Sequence, residues 1–167
     1  MKPIRELRTF LGNLADAWTG WLLLRSLETM ALRMEKQASN ASIVAAWLAS
    51  RQGVQHVHYL GLLTPSDGRA YEIYQRQCTG PGAMLSLEVP GGEAAAFAFL
   101  NRLKLVKLAV SLGSTESLAQ HPATMTHAGM DPSDKTRLGI NPSLVRLSIG
   151  VEHPDDIIAD LDQALGL

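Results

Sequence analysis

Met30, Met34, Ala38, Ala41, Ala45 and Leu48 recur at steps of 4, 4, 3, 4 and 3. That spacing lines six apolar side chains along one face of a helix. It excludes a strand over the same stretch, where alternate residues share a face. Thr29 is placed to cap this helix and Gly53 to stop it. The stripe reads as core, and its alanines let another element approach closely. Upstream, Asp16 has the chemistry of an N-cap for a helix in which Trp18, Trp21 and Leu22 share a face. Residues 1–52 therefore read as a helical arm.

Beyond Gly53 the texture changes to short strands and short helices. Strands are expected at 54–59, 84–89, 105–110 and 144–149, and helices at 69–78, 93–103 and 154–165. Leu85, Leu87 and Val89 alternate with Ser86 and Glu88, the pattern of a half-buried strand, until Pro90-Gly91-Gly92 breaks it. Ala and Phe fill 93–103, with Glu93 in the first turn. Pro154 followed by Asp155 and Asp156 opens the last helix. Residues 61–68 and the stretch from Ser111 read as loops. The sum predicts one α+β domain at 53–167, two-layered, with a short mostly antiparallel sheet of about four strands packed with helices.

Composition narrows the partners. With 167 residues, 46% of them apolar and 19% charged, the chain can build one core but hardly two. Lys plus Arg number 15 and Asp plus Glu 16, a net charge of −1. That balance lacks the basic face that nucleic acid or an anionic membrane requires. The single cysteine, Cys78, points to a reducing compartment. No apolar run approaches the roughly 18 residues of a membrane span, and Met1 to Glu6 lacks the apolar core of a signal peptide. The expectation is a soluble, cytoplasmic protein.

The most informative position is Arg146, inside the apolar strand Leu144-Val145-Arg146-Leu147-Ser148-Ile149. An arginine there keeps its charge, and desolvating it without an anion costs several kcal/mol. Two readings stand: an internal carboxylate such as Glu116 or Glu152, or the carboxylate of a ligand gripped by the two-pronged guanidinium. The second feature is Ser111-Leu112-Gly113-Ser114-Thr115-Glu116-Ser117. Such a loop is either an anion site of exposed N–H and hydroxyl groups, or a strand-to-helix connection capped by Ser114 or Thr115. His56 and His58 share one strand face without an acidic or thiol partner near in sequence. His121 and His127 have no helix to align them, so the spacings indicate no metal site. No Ser-His-Asp order and no phosphate-binding glycine loop with lysine is present. Glu35, Glu72 and the Asp155-Asp156 pair read as solvated.

Several strings together resemble a known family. These are Leu22-Leu23-Leu24-Arg25-Ser26-Leu27-Glu28-Thr29 with Leu32-Arg33-Met34-Glu35, then Ser111-Leu112-Gly113, Glu116-Ser117-Leu118 and His121-Pro122-Ala123-Thr124-Met125-Thr126-His127. Leu138-Gly139-Ile140 and Val145-Arg146-Leu147-Ser148-Ile149-Gly150-Val151-Glu152 complete the order. They resemble the C-terminal small domain of the Cys/Met-metabolism, or transsulfuration, enzymes that depend on pyridoxal 5'-phosphate: cystathionine synthases and lyases, methionine γ-lyase and acylhomoserine sulfhydrylases. The resemblance runs from about Leu7 to the C-terminus.

The resemblance implies the C-terminal domain of a fold-type I pyridoxal-phosphate enzyme. It implies that Arg146 grips the α-carboxylate of an amino-acid substrate, that Ser111 lies beside it, and that Thr126 lies near the same pocket. It also implies β- or γ-elimination or replacement on sulfur amino acids or acylhomoserines, and a homo-oligomer. Val110 departs from the acidic residue that many cystathionine-handling members carry before Ser-Leu-Gly, and so resembles enzymes for simpler thiols or thioethers. Tyr59-Leu60-Gly61-Leu62 replaces a usual proline. The family's cofactor lysine lies in a Ser-x-Thr-Lys segment. None of Lys2, Lys36, Lys104, Lys107 or Lys135 has that context, and Lys135 falls where the family has a variable helix. The expectation is therefore a substrate-side domain with no catalytic or cofactor-binding residue of its own, inactive without the large cofactor domain. The alternative is a non-catalytic dimerisation or interaction module, docking through Trp18, Trp21 and the alanine-rich stripe.

Overall fold

A computed structural model describes residues 2–166. The chain divides into two compact units, one up to Leu32 and one from Arg33. The first holds helices α1 (Lys2–Leu11) and α2 (Ala17–Leu27), neither of which buries a side chain. Asp16 caps α2 as expected: its carboxylate accepts from Thr19 N–H at 2.7 Å, and that bond holds the carboxyl below the ordinary range. Trp18 and Trp21 stack, their ring centroids 5.0 Å apart. No helix among the described residues is long and apolar enough to cross a membrane.

Helix α3 (Met30–Ser50) buries Gln37, Asn40, Ala41, Val44, Ala45 and Leu48. The expected stripe is correct from Ala41 onward, but Met30 and Met34 remain 49% and 43% exposed. Two amides, Gln37 and Asn40, occupy the buried face because backbone carbonyls wait opposite them. Gln37 Nε2 donates to Ser114 O at 2.6 Å, and Asn40 Nδ2 donates to Gly150 O at 3.0 Å and Glu152 O at 2.7 Å. The alanine-rich stripe is thus interior: Ala41 and Ala45 are fully buried and offer no docking surface. The soft boundary read near residue 52 follows α3, whereas the division into compact units falls within it, at Leu32/Arg33.

The sheet has five strands: β1 (His56–His58), β2 (Met84–Glu88), β3 (Lys107–Leu108), β4 (Leu118–Gln120) and β5 (Leu144–Ser148). Their order is β1-β2-β5-β4-β3, antiparallel except for the β3–β4 pair. The mixed, mostly antiparallel α+β architecture is as expected; β4 is the strand that periodicity missed, because three residues carry too little pattern. Helices α4 (Arg69–Gln77), α5 (Gly92–Arg102), α6 (Pro132–Arg137) and α7 (Pro154–Leu165) complete the unit, with 3₁₀ turns at Leu60–Leu62 and Pro65–Asp67. Leu85, Leu87, Val145, Leu147 and Ala119 form one sheet face, and α3, α5 and α7 cover it with Val44, Leu48, Phe99, Ile157 and Leu161.

A carboxylate ties the last helix to this layer. Asp160 on α7 accepts from three consecutive backbone N–H groups, Lys104, Leu105 and Val106, each at 2.9 Å, and from Gln163 Nε2 at 3.0 Å. Burial pushes its carboxyl up, but the N–H groups of Val106, Lys104 and Leu105 with the Gln163 amide outweigh burial and hold it below the ordinary 3.8. A depressed folded-state value means stability that is present above the unfolded value and lost as pH falls through the folded one. Asp160→Ala strands three backbone donors, the Val106 N–H among them buried, and is expected to cost about 2–3 kcal/mol at neutral pH. The cost shrinks as pH drops below the ordinary carboxylate range. Chemical denaturation at two pH values checks this, and a pH-independent difference contradicts it.

The turn after β5 holds the loop before β4. Val151 N–H donates to Thr115 O at 2.8 Å, and Ser117 Oγ accepts from Gly150 N–H at 2.9 Å. A Cβ on Gly150 would collide with Thr115 O, Glu116 C and the Glu152 carboxylate. Gly150→Ala is expected to destabilise by about 1–3 kcal/mol, the range of overpacking, and to speed hydrogen exchange at Ser117 N–H. Unchanged stability and exchange would show that the close approach is not required.

Candidate functional site

Arg146 is the middle residue of β5. Val145 and Leu147 on either side are fully buried in the core, so the two-residue period turns Arg146 to the opposite sheet face. Register sets a row across four strands on that face: His58, Ser86, Arg146 and Gln120. Arg146 Nη2 donates to the carbonyl oxygens of Val110 and Ser111, each at 3.0 Å. The Gln120 carboxamide takes its orientation from its neighbours. With its oxygen toward the guanidinium it accepts from Nη1 at 3.0 Å, from Nε at 3.2 Å and from Thr126 Oγ1 at 3.2 Å. With its nitrogen there, donors would face donors.

The guanidinium is therefore held by neutral oxygens. The two carboxylates considered as internal partners are engaged elsewhere. Glu152 accepts from Ser117 N–H at its Oε1 and from Ser117 Oγ–H at 2.9 Å, and Glu116 accepts from Ser114 Oγ at 3.5 Å. Among the described residues no ion pair includes Arg146. Desolvation pushes its pKa down, yet an arginine stays protonated. The result is a half-buried positive charge with neutral acceptors for four of its five N–H donors and no counter-charge among the described residues.

The segment from Ser111 to Ser117 joins β3 to β4, so it is a strand-to-strand loop rather than the strand-to-helix connection considered from sequence. Gly113 sits at φ +76°, a left-handed conformation that suits glycine, and its N–H donates to Ser148 Oγ at 3.2 Å. Val110 is 53% exposed and Ser111 is exposed; both touch Arg146 through their carbonyls. Thr126 reaches the same group through Gln120. The fold thus gathers Arg146, Ser111, Val110 and Thr126. It adds Gln120, which sequence reading missed: its one signal was a polar residue after Leu118-Ala119. Val110, Ser111 and Thr126 are exposed and Arg146 is half-buried, so the group is open to solvent.

The other candidates serve the fold. The His56 and His58 rings meet edge to face, and His58 Nε2 lies 3.0 Å from Glu88 Oε1, an acidic partner that only the sheet brings near. No group of three potential metal ligands forms among the described residues. His121 is buried, with Nε2 2.9 Å from Pro142 O and Nδ1 2.8 Å from Thr124 Oγ1. Lys135 Nζ donates to Ala123 O at 3.0 Å and Ala128 O at 3.3 Å, and Lys107 Nζ to Lys104 O at 2.7 Å. These ammonium groups are committed to backbone carbonyls, and none of the bonds described brings a lysine to Arg146.

Comparison with known proteins places this geometry in a lineage. A sequence profile of the Cys/Met metabolism PLP-dependent enzymes matches residues 1–166. The chain is 40% identical over 162 residues to an L-methionine gamma-lyase of Pseudomonas putida, covering 97% of this chain and 40% of that protein. It is 38% identical over 165 residues to an O-succinylhomoserine sulfhydrylase of Pseudomonas aeruginosa, covering 99% and 40%. Its structure superposes on a cystathione gamma lyase of Micromonospora echinospora with a TM-score of 0.88 at 36% identity, covering 98% of this chain and 42% of the other. The chain spans about 40% of the length of the curated relatives it matches. With its sequence matched almost end to end and its fold shared, this chain belongs to the family of Cys/Met metabolism PLP-dependent enzymes.

Proposed function

We propose that this chain is the substrate-side domain of a pyridoxal-phosphate enzyme acting on sulfur amino acids or acylhomoserines by β- or γ-elimination or replacement. Arg146 binds the substrate α-carboxylate, with Ser111, Thr126 and Val110 beside it. The observation that carries this reading is the guanidinium held in place by neutral oxygens while its charge is left for an incoming anion. Carbonyl oxygens orient the fork without neutralising it, which suits a group that must receive a carboxylate repeatedly. Pyridoxal phosphate, when bound by the enzyme, supplies the electron sink for the reacting carbon. This chain's residues do the positioning: Arg146 fixes the acid end, and Val110 offers an apolar surface suited to a simple thioether or thiol. The open surface around Arg146 calls for a second wall, which we assign to the large cofactor domain of the same or a separate chain. Alone, this chain is then inert and the working enzyme is a cytoplasmic homo-oligomer.

A second reading, a non-catalytic interaction module, is favoured by α1 and α2, whose Ile4, Leu7, Phe10, Trp18 and Trp21 are all exposed. A monodisperse monomer in solution removes dimerisation through these helices and leaves only docking on a different partner.

In an enzyme reassembled from this chain and a cofactor-bearing domain, Arg146→Ala is expected to raise KM for the amino acid roughly 30- to 160-fold, the loss of about 2–3 kcal/mol of charge-assisted bonding. Arg146→Lys is expected to recover only part, because a point charge lacks the fork. An unchanged KM removes Arg146 from the site. Turnover of a sulfur amino acid by this chain with added pyridoxal phosphate alone overturns the division of labour.

A further inference from the structure

The orientation of Gln120 fixes the direction of a hydrogen-bond chain that ends on a histidine. Its oxygen accepts from Arg146 and from the Thr126 hydroxyl. A threonine hydroxyl has one proton to give. Once that proton faces Gln120, Thr126 Oγ1 has only lone pairs left for His127 Nδ1, 2.9 Å away. Nδ1 must then carry a hydrogen. We propose that His127 is a positioning residue for Arg146. It holds its hydrogen on Nδ1 and, through Thr126, keeps the Gln120 oxygen on the guanidinium.

The alternative polarity conflicts with the charge. If His127 carried hydrogen on Nε2 alone, Thr126 would donate to Nδ1 and could only accept from Gln120. The carboxamide nitrogen would then bond Thr126 at 3.2 Å. That same nitrogen would face the Arg146 donors, and two of the four bonds that set the guanidinium plane would be lost. His127 is itself pinned by its backbone, its N–H donating to Pro122 O at 2.9 Å and its carbonyl accepting from Met130 N–H at 3.1 Å. The turn thus delivers a ring nitrogen to a fixed place, and the arginine dictates which tautomer fits there. A plane fixed in advance costs an incoming carboxylate less ordering. The substrate consequence rests on the reading that Arg146 receives a carboxylate; the hydrogen-bond direction does not.

The tautomer is read by ¹⁵N NMR of the imidazoles in the intact protein, two pH units or more above the ordinary imidazole value of about 6.5. His127 is expected to show a protonated Nδ1 and a bare Nε2. Thr126→Ser is expected to keep that state and Thr126→Val to lose it. A bare Nδ1 in the wild type, or a tautomer indifferent to Thr126→Val, overturns the proposal. Positioning is read separately by titrating L-methionine and following the Arg146 Nε–H signal. His127→Leu is expected to weaken binding about tenfold, and His127→Asn, which puts an amide nitrogen where Nδ1 was, to restore it. Equal binding by wild type and both variants overturns the positioning role. L-methionine that leaves the Arg146 signal unmoved in the wild type overturns the carboxylate reading and with it the substrate consequence, while the tautomer alone then judges the hydrogen-bond direction.

Discussion

A single strand does two incompatible things, and the architecture follows from that. β5 puts Val145 and Leu147 into a dry core and Arg146 on the other face, one residue apart. Each face then needs its own cover. Helices supply it on the apolar side by the hydrophobic effect. On the polar side a loop brings carbonyl oxygens and β4 brings an amide, because a guanidinium needs acceptors wherever water is thinned. Slipping β5 by one residue would exchange the two faces, so the core and the charged site hold each other in register.

The cover on the polar side is built mainly from backbone and amides rather than from ion pairs. Gln37 and Asn40 on α3 hold the Ser111–Ser117 loop and the turn after β5, and Glu152 closes the clamp on Ser117. Each amide nitrogen finds a carbonyl here, while the Gln37 and Asn40 side-chain oxygens are buried without a partner. The effect is to place the Val110 and Ser111 oxygens on Arg146 without bringing a carboxylate with them. Asp160, in its nest of three N–H groups, works similarly at the other end of the sheet. There too a charge is settled by backbone dipoles rather than by a partner of opposite sign.

Much of the frame is legible in local pattern. Residues 84–88 alternate and form β2, Pro154 opens α7, and Asp16 caps α2, because each of these depends on neighbours within a turn or two. The stripe on α3 was half right, since its buried face includes Gln37 and Asn40, whose partners lie 77 and 110 residues away. β4 was invisible because Leu118-Ala119-Gln120 has no period to read. Arg146 stood out from the strings alone, a charge where apolar residues should be. Gln120, its nearest side-chain partner, did not, because its significance comes from lying opposite Arg146 in the sheet.

Helix and strand placement, and membership of a lineage, rest on spacing and on ordered strings, which survive being read along a line. Which groups meet Arg146 does not. Glu152 lies nearer to it along the chain than any of its acceptors, and Glu116 nearer than Val110 or Ser111, yet pairing turned one to Ser117 and the other to Ser114, and put two carbonyls and an amide in their stead. Such choices are settled by strand register and loop closure, which sum contacts from five separate stretches of chain, and no local preference encodes that sum.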